Sequence, residues 1–171
     1  RSLEYARALE KSGKYVLFIW PEHCIIGTWG HGIQENLANA FSDWQRKEYA
    51  MIDYVTKGTN PYTEHYGGLL AEVPDPTDSS TQLNTGLIET LQSADVILIA
   101  GEALSHCVKE TIDQIVDNIG IDHVAKIQIL TDATSPVPQN PGGPDFPAIA
   151  QQWLVDIQKR GVQITTTETF F

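Results

Sequence analysis

The chain has two cysteines and one methionine among its 171 residues, so no disulfide framework organises it and a reducing, cytoplasmic setting is expected. It lacks any apolar run near the roughly 18 residues that a membrane-spanning helix needs. Its first residues, RSLEYARALEKSG, are too charged for a secretory signal. Basic residues are scarce: 11 Lys and Arg stand against 22 Asp and Glu, for a net charge of -11. Such a surface repels phosphate backbones and anionic lipids, which excludes nucleic acid and membrane as expected partners. Neither GxGxxG nor GxxxxGK[ST] occurs, so no nucleotide cofactor is expected. No Ser sits in a GxSxG turn, and no HxH, HExxH or CxxC spacing marks a strong metal site.

What is present reads as one α/β domain over 1–171. A hydrophobic fraction of 42% suffices for a core that needs no staples. Apolar runs at 15–20 (YVLFIW), 50–56, 96–100, 125–130 and 162–165 predict buried strands, and helical periods fall between them. Helices are expected over 3–12, over 33–44 with Ile33, Leu37, Phe41 and Trp44 inward, over 85–92, from Val108 to the region of Ile119, and from Pro147 to Gly161. Strands alternating with helices imply a mostly parallel sheet in a three-layer α/β/α arrangement with helices on both faces. The loop TSPVPQNPGGPDFP reads as a restrained surface excursion or lid.

The stretch at 94–120, ADVILIAGEALSHCVKETIDQIVDNIG, organises the rest. In it a strand turns sharply into an amphipathic helix, and Cys107 sits at the turn. Unpaired N–H groups and the positive end of the macrodipole at a helix start lower a thiol's pKa. The same N–H groups face where an oxyanion would form if Cys107 attacked a carbonyl. Ligands on such sheets bind beyond the carboxyl ends of the strands, and three residues converge there: His23, Lys57 and Cys107. Lys57 is placed to hold a thiolate and orient a substrate, unless it is a solvated lysine opening a loop. His23, His31, His65 and His106 fall in turns, where each is a metal ligand, a proton carrier or a surface residue. Trp20 and Trp29 flank the His23 turn, either as an aromatic wall or as core. Cys24 is read as buried and structural.

Three segments in order resemble the isochorismatase-like cysteine hydrolases, the superfamily that includes nicotinamidases: WPEHCIIGTWG at 20–30, KGTNPYTEHY at 57–66 and GEALSHCVKET at 101–111. The resemblance spans essentially the whole chain. It implies Cys107 as nucleophile, Lys57 as the catalytic lysine, and the backbone N–H groups of Ala103 and Cys107 as oxyanion hole. It also places a cis bond at Glu102–Ala103, and Trp20 and His106 against the substrate. His23 matches one ligand of a divalent metal such as zinc. The family's catalytic aspartate and remaining metal ligands sit on segments that would precede Arg1, so an N-terminal strand segment is expected to be missing from these residues.

The implied activity is a thioester-forming hydrolysis of a small amide by a homo-oligomer with a small-molecule substrate. The alternatives are isochorismatase-type cleavage of a vinyl ether, and a non-catalytic binding or assembly homologue.

Overall fold

A computed structural model describes residues 1–13, 17–139 and 141–171. In chain order its elements are α1 (Ser2–Ser12), α2 (Glu35–Glu48), α3 (Thr85–Ser93), β1 (Ile97–Glu102), α4 (Cys107–Asn118), α5 (Ile121–Val124), β2 (Ile127–Ser135), α6 (Phe146–Lys159), β3 (Gln163–Thr165) and α7 (Thr167–Phe170). The residues group into two compact units, one of Arg1–Tyr5 with Thr56–Phe171 and one of Ala6–Val55. None of the helices described is long and apolar enough to cross a membrane.

The larger unit holds a parallel sheet in the order β1-β2-β3, as the alternating pattern predicts. Ile97 pairs with Ile127 and Ile129 with Ile164, so the branched side chains of neighbouring strands stand in rows. Both crossovers step the same way along the sheet, and right-handed crossovers then place α4 and α6 on one face. The two helices do pack together. Ile97, Ile127 and Ile129 meet Ile112 and Ile115 of α4 and Trp153 and Ile157 of α6 in one core. Each such side chain contributes about 1.5–3 kcal/mol by leaving water.

The last long helix matches its expected form closely. Asp145 caps it by accepting from the Ala148 N–H at 3.0 Å, and Pro147 occupies the first turn, where a missing N–H costs nothing. Ala150, Trp153, Leu154 and Ile157 are all buried. The Trp153 indole N–H donates to Asp113 of α4 at 3.0 Å, which ties the two helices at their polar rim.

In the smaller unit α2 starts where the Gln34 side chain accepts from the Leu37 N–H and ends at Tyr49, whose φ is 53°. Its expected inward residues Leu37 and Trp44 are exposed.

Three expectations need correction. Residues 17–20 of the YVLFIW run form no strand, and Leu17, Phe18 and Ile19 are exposed; Tyr15 and Val16 lie outside the described residues. Residues 50–56 form no strand either, and Met51, Tyr54 and Val55 are exposed. An apolar run becomes a strand only when a neighbouring strand takes up its N–H and C=O groups, and among the described residues neither run has one. Cys24 is exposed rather than buried, with a left-handed φ of 51°, because it opens the tight turn closed by Thr28 N–H donating to the Ile25 carbonyl. The strand expected at 125–130 also runs further, to Ser135.

Ile112 is fully buried in this core. Replacing it with Ala should lower unfolding free energy by about 2–5 kcal/mol, as measured by urea denaturation, because the methylenes lost leave a cavity between helix and sheet.

Candidate active site

The turn from β1 into α4 is built by a break in the ladder. The pairing of β1 with β2 shifts register between Ile99 and Gly101, and Gly101 takes a φ of +120°, which a side chain rarely permits. The next peptide, Glu102–Ala103, is cis. The Ala103 carbonyl accepts from the N–H groups of His106 and Val108, which curls the chain into the first turn of α4. Leu104 N–H donates to the Ser135 carbonyl at 2.8 Å, and the buried Ser105 hydroxyl accepts from Val137 N–H at 2.9 Å. The turn is thereby fastened to the far end of β2. Cys107 emerges as the first residue of α4, half-buried.

Lys57 arrives from a separate loop and meets it. Its Nζ donates to the His65 carbonyl at 2.8 Å and lies 3.6 Å from Cys107 Sγ. The loop is held there by the helix that carries the cysteine. Thr111, one turn on from Cys107, accepts from Gly68 N–H at 3.0 Å. Gln114, one turn further, accepts from the N–H groups of Leu69 and Leu70 and donates to the Leu70 carbonyl at 2.9 Å. Residues 107, 111 and 114 lie on one stripe of the helix. Gly67 passes so close to Gln114 that a Cβ would collide with its carboxamide.

Around this pair lie groups that sequence reasoning missed or left open. The Glu64 carboxylate accepts from Tyr66 at 2.6 Å and from Tyr5 at 2.7 Å. Burial, and then the Glu64 bond, push both tyrosine hydroxyls well above their ordinary range, and charge at Cys107 adds to the effect on Tyr66. His65 is buried, and burial holds its ring below the ordinary range, helped by the Lys57 ammonium and opposed by the Ser80 backbone and Asp78. His106 takes a hydrogen bond with Ser105 at 2.8 Å and packs edge-on against Phe146 at 4.6 Å. Burial lowers its pKa, with Lys109 adding repulsion. Alternate burial of Thr63, His65, Leu69 and Ala71 marks this loop as a packed segment.

The structure therefore brings Lys57 and Cys107 together, with Ala103 and His106 in the same turn. Trp20 and His23 belong to the smaller unit. Trp20 packs on Phe18 at 4.8 Å, and the exposed His23 has Nδ1 2.7 Å from the Pro21 carbonyl. Among the described residues no group of three or more His, Cys, Asp or Glu side chains is placed to hold a metal ion. These residues do not by themselves fit a divalent metal, and the chemistry below runs through the chain's own groups.

The fold that carries this site is similar to that of solved nicotinamidases and pyrazinamidases. The yeast nicotinamidase Pnc1p, solved with the inhibitor nicotinaldehyde, matches with a TM-score of 0.60 and 19% identity over 86% of this chain. An Acinetobacter baumanii nicotinamidase/pyrazinamidase matches at 0.59 and 18% over 90% of the chain. A zinc-bound Pyrococcus horikoshii pyrazinamidase matches at 0.51 and 18% over 95%, and is itself covered over 81% of its length. The chain spans 58% and 61% of the yeast and Acinetobacter proteins, so the likeness is one of fold. No family model and no curated protein sequence matches.

Gln114→Ala should strand the Leu69 and Leu70 amides and cost about 1–3 kcal/mol in a denaturant melt. Gly67→Ala should do comparable damage by collision, and both should slow alkylation of Cys107 by loosening the Lys57 loop.

Proposed function

We propose that the chain is a cysteine-dependent hydrolase acting on a small amide. The observation that supports this most is the 3.6 Å approach of Lys57 Nζ to Cys107 Sγ at a helix start. In this reading the sulfur attacks the amide carbonyl, forming an S–C bond as the carbonyl pair moves onto oxygen. The amides of Ala103 and Cys107 receive that oxyanion. Collapse breaks the C–N bond and leaves a thioester on Cys107, and the amine departs with a proton. The family resemblance gives that proton transfer to an aspartate on a strand ahead of the segments found here. Water then attacks the thioester, releasing the acid and restoring the thiol.

The Lys57 ammonium places positive charge beside the nucleophile through both steps, and the His106 ring, set edge-on against Phe146, is an aromatic group the resemblance puts against the substrate. The nicotinaldehyde on the yeast protein and the nicotinate on the L. infantum one make aromatic amides the first substrates to try.

Cys107→Ala should abolish turnover of such amides and leave the thermal melt unchanged; retained turnover would refute the covalent role. Lys57→Ala should lower kcat by about 10²–10³, the scale of losing one aligned charge or donor at the reacting centre. Intact-mass spectrometry after rapid acid quench should catch an acyl adduct on Cys107 in the unsubstituted protein.

A further inference from the structure

The hydrolytic reading leaves the buried His65 without work. His65 is only 8% exposed, and its Nδ1 is buried with no hydrogen-bond partner among the described residues. A neutral ring tolerates this, because a bare acceptor nitrogen is the milder of the two unpaired states. A proton there would create a buried donor with no acceptor and a second positive charge beside Lys57. Asp78 also faces the ring, but its oxygens already accept from Asn60 at 2.8 Å and from the Ser80 N–H and hydroxyl. The ring's hydrogen bond to the Ser80 backbone holds its other edge.

The main chain of the same residue carries the contact that matters most. Its carbonyl accepts from Lys57 at 2.8 Å while that ammonium reaches the sulfur of Cys107. Ring and carbonyl are parts of one residue between Thr63 and Leu69, both buried, so displacing the ring displaces the carbonyl.

We propose that His65 is the positioning residue of the Lys57–Cys107 pair: its neutral ring seats the carbonyl that holds the ammonium against the sulfur, and a proton on the ring unseats it. The proposal rests on reading Cys107 and Lys57 as a working pair, but it concerns their geometry and is tested without a substrate. The sign follows from the environment. Folding holds the ring below its ordinary value of 6.5, so the seated state is complete above that pH and is lost as pH falls through the folded value.

The test uses the Cys24→Ser protein, so that Cys107 is the single thiol, and follows its alkylation by iodoacetamide from about pH 5 to about pH 8, the range over which histidine titrates. With His65 present, the acid limb of the rate should fall more steeply than in His65→Gln, by about tenfold per pH unit, the mark of one extra proton. Equal slopes in the two proteins overturn the proposal. If His65→Gln does not fold, NMR titration of the backbone-assigned His65 ring takes its place. The ring should gain its proton below pH 6.5 and at higher pH once Lys57→Ala removes the ammonium. A titration that Lys57→Ala leaves unmoved overturns the proposal. A steepened limb in a chain that hydrolyses no amide sinks the hydrolase reading and keeps His65 in its role; hydrolysis with equal slopes does the reverse.

Discussion

The approach of the Lys57 ammonium to the Cys107 sulfur is the constraint on which the rest of this unit turns. The two residues are 50 positions apart, and a flexible lysine has no reason to stay near a thiol unless its loop is held. Helix α4 does the holding. The helix that presents Cys107 at its first turn also grips the loop with Thr111 and Gln114 on the same stripe. One rod thus presents the sulfur and holds the far end of the loop, and the His65 carbonyl between them seats the nitrogen.

The sheet serves that rod. Ile112 and Ile115 anchor α4 against the strands, and the register shift between Ile99 and Gly101 carries the β1 ladder on to Glu102, where the chain curls into the helix. Fastening of the turn to Ser135 and Val137 makes the last part of β2 a second support. This explains why β2 outruns its apolar core. Residues beyond Leu130 are kept in the strand by what they hold at the turn, since Thr134 and Ser135 pair with Gly101 and Glu102.

How much of this was legible in the residues follows from what each signal encodes. Helical periodicity records which face is buried, and it located α4 and α6 with their inward residues. The position of Cys107 after a strand, and of Lys57 at a loop opening, was visible as pattern and strengthened by resemblance. Strand pairing is a non-local property, so the apolar runs at 15–20 and 50–56 look like strands from within, while the described part of each lacks a ladder partner. Buried polar residues are the hardest case. The turn position of His65 leaves it open between metal ligand, proton carrier and surface residue, and nothing in the sequence marks Gln114, whose burial is made tolerable by backbone partners at Leu69 and Leu70 far along the chain.

The character of Lys57's partners decides what its charge can do. A lysine in an acidic protein would ordinarily find a carboxylate, and an ion pair would spend most of its field. Glu64, an acidic residue of its loop, instead accepts from two neutral hydroxyls, those of Tyr5 and Tyr66. Among the described residues the hydrogen-bond partners of the ammonium are a carbonyl and a sulfur. A carbonyl orients the charge without cancelling it, so the ammonium is turned toward the sulfur. The two tyrosines, driven far from ionisation by burial and by Glu64, keep that arrangement intact, because neither competes with Cys107 for the role of anion.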